Sequence, residues 1–156
     1  MSRIRPSADQ DVRLRPASGA DVPAVLELLQ KASLPTLGVP PTLAGFLVAG
    51  VQDRVVGAIG MERYGTSALL RSAVVESKGR GNGIGRELVE RLLAVAEASG
   101  VREMYLLTTT AEHYFARFGF HAIGRNDVPP SVQASVEFRE ACPASAVVMR
   151  KSFVAG

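Results

Sequence analysis

The chain has 156 residues, 47% of them hydrophobic and 21% charged, which suits one domain long enough to bury its own core. A net charge of +3, from 18 Lys and Arg against 15 Asp and Glu, is too mild to argue for a nucleic-acid partner, although it would welcome an anionic small molecule. The single cysteine, Cys142, excludes an internal disulfide and a multi-thiolate zinc site, and makes a reducing cytoplasm the expected location. No apolar stretch near the start has the length of a signal peptide or a membrane span, so no membrane partner is expected. Residues 1–11 are polar and read as a disordered tail ahead of a single domain over 12–156.

Val12 to Pro16 alternates apolar and basic residues as a strand does. Ser18 or Asp21 then caps a helix over about Ala20 to Lys31, with Val22, Val25, Leu26 and Leu29 at helical spacing. Ser33 to Pro41 holds three prolines and a glycine and predicts an irregular connection, with a short helical turn near Thr42. Gly45 to Val51, Arg54 to Tyr64 and Ala68 to Val75 are runs suited to three antiparallel strands, joined at Gln52-Asp53 and Gly65-Thr66. A helix follows, with Ile84, Leu88, Leu92 and Val95 on one face and its end at Ser99-Gly100. Val101 to Thr110 is a buried strand, so strand, helix and strand form a parallel crossover. Ala111 to Phe118 predicts a short helix, His121 to Gly124 a strand, Ser131 to Glu140 a helix, and Ala144 to Phe153 a last strand.

The stretch that carries chemistry lies between the third of those antiparallel strands and the helix after it. Gly79, Gly81, Gly83 and Gly85 interrupt a basic run holding Lys78, Arg80 and Arg86. Glycines allow a close approach of ligand to main chain, and the helix start offers unpaired amides and a positive dipole end, so a phosphate or pyrophosphate is the natural occupant. The spacing is G-x-G-x-G, which fits neither the dinucleotide fingerprint nor a P-loop.

Arg80-Gly81-Asn82-Gly83-Ile84-Gly85 resembles the R/Q-x-x-G-x-G/A signature of the GCN5-related N-acetyltransferases (GNAT family), and His113 to Phe120, HYFARFGF, resembles that family's second signature. The resemblance implies a central mixed, mostly antiparallel twisted α/β sheet of about seven strands flanked by four or five helices and splayed at an acetyl-CoA site. It also implies acetyl-CoA as co-substrate, with no metal, and a homodimer. LLRSAVV, YLLTTTAEHYFARFGF and ACPASAVVM further resemble the ArsN-type acetyltransferases of arsenic-resistance loci, which implies a small anionic amino-acid-like acceptor such as arsinothricin or phosphinothricin.

By the same resemblance the cofactor lies along the main chain of Ala73, Val74 and Val75 and on the loop Arg80, Gly81, Asn82, Gly83, Ile84, Gly85 and Arg86, with Tyr114 and Phe115 beside it. Amide formation requires a base for the ammonium and an acid for the leaving thiolate. Glu62 is the preferred base, with Glu112 and His113 as alternatives. The family's acid is a tyrosine four residues before the glycine of G-F; that position is Phe115 here, with Tyr114 one residue earlier, so Tyr114 is the candidate acid. Arg71, set in an apolar strand, would pair with an anionic group of the acceptor. Ser72, Arg63, Tyr64, Thr108 and Thr109 stand at strand ends where they would orient a polar ligand. Cationic acceptors such as a polyamine, an aminoglycoside or a protein N-terminus would want an acidic cleft, and a non-catalytic acyl-CoA-binding module is the third reading.

Overall fold

The computed structural model describes residues 11–77, 83–135, 138 and 145–153. Seven strands form one sheet: β1 Val12–Pro16, β2 Phe46–Val51, β3 Arg54–Tyr64, β4 Ser67–Val75, β5 Glu103–Thr108, β6 His121–Ile123 and β7 Val147–Ser152. Their spatial order is β1-β2-β3-β4-β5-β7-β6. Among the described residues four α-helices accompany them, α1 Val22–Lys31, α2 Ile84–Ala98, α3 Glu112–Ala116 and α4 Pro130–Gln133. All pairings are antiparallel except β4 with β5, so the crossover through α2 is the one parallel step.

The predicted elements and the observed ones agree closely through β5, and β6 and β7 fall within the stretches expected for them. The final strand lies between β5 and β6, so its inner neighbour is the parallel strand and not the one before it in sequence. The helix expected over Ser131 to Glu140 is only Pro130–Gln133 among the described residues, since most of the stretch after Ser135 lies outside them.

Helix α1 buries Val25, Leu28 and Leu29 on one face of the sheet against Phe46, Val48, Ala58 and Val74. Pro23 sits in its first turn, where a missing N–H costs nothing. On the other face α2 buries Ile84, Leu88, Val89, Leu92, Leu93 and Ala96. Val95 is a correction, for it is 42% exposed. At about 100° per residue the buried stripe centres near Leu92, and Val95 falls at its margin while Ala96 takes the inward place. A third apolar group, Leu69, Tyr105, Val128, Val132 and Val148, covers the β4–β5 junction on the α1 side.

Asp21 joins the first strand to the first helix. Arg15 donates from Nη1 and Nη2 to its two carboxylate oxygens, both at 2.8 Å, and the Ser18 N–H donates to Oδ2 at 2.9 Å. The Arg15 bonds, ahead of the opposing burial, hold the Asp21 carboxyl at about 2, below its ordinary 3.8. Because the folded value lies below the unfolded one, the contribution is whole above the ordinary value and is lost as pH falls from 3.8 through about 2. Arg15 is half-exposed, so Asp21→Asn is expected to cost only about 1 kcal/mol at neutral pH. Urea unfolding of both proteins from pH 7 to pH 2 checks this: the difference should shrink below pH 4 and close near pH 2.

Candidate functional site

The site begins where β4 and β5 part. Their ladder holds only Ser67↔Glu103, Ala68↔Met104 and Leu69↔Tyr105, although β4 runs on to Val75 and β5 to Thr108. Two features drive the separation. On the β3 side, Ala58 pairs with Val74 and Gly60 with Arg71, so Ile59 alone faces Ser72 and Ala73. This is a β-bulge, with Ser72 at φ 60°, and it bends β4 away. On its far side, β5 stays paired with β7 from Glu103 to Thr108 and cannot follow.

A cavity of about 1440 Å³ fills the opening. Ser72, Ala73, Val74 and Val75 form one wall, and Thr108, Thr109, Tyr114 and Phe115 form the other. Its end is closed by Gly83, Gly85 and Arg86 at the start of α2, whose first-turn amides and positive dipole end suit an anion. Gly83 caps the helix at φ 81°, a conformation that side chains resist, while a Cβ there would meet nothing within 4 Å. Gly85 is different. A Cβ there would lie 3.2 Å from the Tyr114 hydroxyl, so the bare glycine lets that hydroxyl rest over the helix start. Ile84 is buried and anchors the turn from beneath. Arg80, Gly81 and Asn82, together with Lys78, Gly79 and Cys142, lie outside the described residues.

On α3 the aromatic pair divides its work. Phe115 is buried and meets Phe120 edge-on, whereas Tyr114, half-buried, meets Phe115 and Phe118 edge-on and turns its hydroxyl toward α2. Burial raises the Tyr114 phenol above its ordinary value, opposed by Arg117 and Arg86 and reinforced by Glu90. It is therefore a protonated donor at neutral pH. Arg117 also lines the cavity and was missed in the sequence. The available signal was its place three residues after Tyr114, one helical turn along the same face. Glu112 and His113 are exposed and line neither this cavity nor the smaller one below.

Arg71 faces the larger cavity yet is 2% exposed, with its charge answered inside the protein. Nη1 donates to Glu62 Oε2 at 2.7 Å, Nη2 to the Leu37 carbonyl at 2.7 Å and Nε to Ser72 Oγ at 3.1 Å. Glu62 stands opposite Leu69 and Arg71 opposite Gly60, so the two are diagonal neighbours on one face. The second Glu62 oxygen, Oε1, accepts from the Tyr64 hydroxyl. Burial first, then that bond, pushes the Tyr64 phenol up to about 12. Glu62 and Tyr64 line a second cavity of about 450 Å³ with Gly38, Pro40, Ser131 and Ser135. The Arg71–Glu62 pair thus spans from one cavity to the other.

Two expected acceptor residues have other engagements, and a third stands at the rim. Arg63 also borders the smaller cavity, but its guanidinium donates to the Gly65 carbonyl and to Ser99 Oγ and carbonyl, closing the C-terminal end of α2. Thr108 Oγ1 accepts from the Ala111 N–H at 2.9 Å and shapes the turn into α3, and Thr109 is exposed at the cavity rim. Among the described residues no group of three or more His, Cys, Asp or Glu is placed to hold a metal ion.

Truncating one member of a buried ion pair strands the other. Arg71→Ala is expected to destabilise the fold by about 3 kcal/mol, and adding Glu62→Gln to recover at least half of that. Urea midpoints of the two single variants and the double variant check this; simple additivity would contradict it.

Comparison with known proteins bears on this geometry. An uncharacterized N-acetyltransferase of Chlorobaculum tepidum is 34% identical over 88 residues, which are 56% of this chain and 56% of that protein. The match thus spans little more than half of the curated relative's length. Among solved structures, a Mycobacterium tuberculosis protein in complex with CoA and NLQ superposes with a TM-score of 0.76 at 23% identity, covering 91% of this chain and 99% of that one. The N-acetylglutamate synthase of Neisseria gonorrhoeae, complexed with coenzyme A and L-arginine, gives 0.77 at 15% identity, covering 92% of this chain and 34% of that one. At these identities the structures speak for the fold alone. The family described as "Acetyltransferase (GNAT) domain" matches residues 42–122, from before β2 through β6, and so takes in the bulged strand, the start of α2 and the aromatic helix. On that match the chain belongs to the GNAT acetyltransferase family.

Proposed function

We propose that the protein transfers an acetyl group from acetyl-CoA to the primary amine of a small anionic amino-acid-like acceptor, by direct attack with both substrates bound. The observation that carries this reading is the cavity between β4 and β5, closed at one end by the start of α2 and bordered at its wall by Arg71. The first-turn amides of α2, Arg86 and Arg117 would hold the phosphate groups, and the main chain of Ala73 to Val75 the pantetheine. Acetyl-CoA supplies the activated acyl group. The residues present fit it: Gly83 and Gly85 leave the helix start bare, and the cavity has the volume for a long ligand.

Glu62 takes the proton of the acceptor's ammonium at a carboxylate oxygen, with the amine entering from the smaller cavity that Glu62 lines. Arg71 orients the acceptor through its anionic group. Tyr114, whose hydroxyl rests over the start of α2, gives its proton to the departing thiolate through intervening water, a role that Phe115 has no proton to fill. The resemblance to ArsN-type enzymes supports arsinothricin or phosphinothricin as acceptor, with a role in arsenic resistance. The same reading makes the protein cytoplasmic and a homodimer.

Release of free thiol from acetyl-CoA, followed over a panel of amines, tests the proposal. Turnover should be selective for the anionic amino acids. Selective turnover of polyamines or aminoglycosides would sink the acceptor assignment, and tight cofactor binding with no turnover would leave a binding module. Arg71→Lys, which keeps the charge and loses the fork, should raise KM for the acceptor about tenfold or more while leaving KM for acetyl-CoA within about twofold. Tyr114→Phe should lower kcat by about tenfold or more.

A further inference from the structure

An arginine beside a carboxylate ordinarily takes both oxygens in a two-pronged bond. The Arg71–Glu62 pair is held in a different arrangement. Nη1 alone reaches Glu62, at Oε2, while Nη2 is drawn to the Leu37 carbonyl and Nε to Ser72 Oγ. Oε1 is given to a neutral donor, the Tyr64 hydroxyl, from two residues along the same strand. We infer that Tyr64 is a positioning residue for the base, fixing the Glu62 carboxylate in this orientation with a neutral hydrogen bond. This rests on the reading of Glu62 as the base.

The geometry supports a device of this kind. Tyr64 packs against the apolar group of Leu69, Tyr105, Val128, Val132 and Val148, so the hydroxyl is delivered by a ring that cannot easily swing. Its phenol, pushed up to about 12, remains a donor through the whole working range and does not compete for the proton. Among the described residues, the charged and titratable groups that bear on Glu62 are Arg71 from β4 and Tyr64 on its own strand. The other elements lining its cavity bring glycine, proline and serine, and Arg63 turns its guanidinium to Ser99. A hydrogen bond to an ionised carboxylate favours the ionised form, so its removal is read in the acidic limb of the pH profile. Arg71, anchored at Leu37 and Ser72, is not at liberty to replace the lost bond with its second prong.

The test is the pH dependence of kcat/KM for the acceptor, in wild type, Tyr64→Phe and a protein with 3-fluorotyrosine placed at position 64 alone. Tyr64→Phe should lower kcat about tenfold and move the acidic limb up by about half a unit or more, with KM for acetyl-CoA unchanged. Fluorotyrosine, of nearly the same shape and a stronger donor, should move that limb down and guards against a Phe variant that folds poorly. A purely structural tyrosine would change the melting temperature and leave both limbs in place, and that result overturns the inference. Glu62→Gln separates the two levels. If it loses the acidic limb while the Tyr64 variants superpose on wild type, the base stands and Tyr64 falls; if it turns over like wild type, the base falls and Tyr64 with it.

Discussion

Three residue pairs are all that join β4 to β5, and the rest of the molecule is arranged around the place where that ladder stops. A parallel pair inside a sheet normally keeps its hydrogen bonds, because polar main chain away from water is costly to leave unmatched. Here the bulge at Ser72 and Ala73 turns one strand, while β7, laid along the whole of β5, holds the other. The opening is polar along its main chain and apolar in many of its side chains. A ligand with amides in a flexible chain and phosphates at one end suits such a wall, and the bare start of α2 stands where the phosphates would lie.

Charge is placed with equal economy. The larger cavity has Arg71 in its wall, yet Arg71 is buried and already matched by Glu62, so the guanidinium is not an isolated charge in the interior. On the proposed reading an anionic acceptor would meet a balanced pair and would share the guanidinium with Glu62.

Local patterns made much of this visible in the sequence. The three meander strands announced themselves by β-branched runs and polar breaks, and the start of α2 by glycines beside a strong apolar stripe. The family resemblance was carried by two short motifs. Other features were beyond local pattern because they depend on distant chain. Arg71 could be read as facing a cavity, but its counter-ion comes from β3 and its third partner is a main-chain carbonyl at Leu37, which no side-chain signal marks. Arg63 looked equally suited to a ligand and turned out to close α2, since strand alternation sends it the other way. Tyr114 and Phe115 differ by one position and about 100° of helix, and which of them faces the cofactor end depends on the bareness of Gly85 one element away.

The central claim is that the parted strands and the start of α2 form one cofactor surface. Amide hydrogen exchange with and without CoA tests it most directly, since exchange reports each backbone group separately. Bound CoA should slow exchange at Ala73 to Val75 and at the first turn of α2, Ile84 to Arg86, and leave Ser67 to Leu69, where the ladder is intact, and β1 as they were. Protection at Ser67 to Leu69 or β1 instead, or none at β4 and α2 under saturating CoA, would contradict the account.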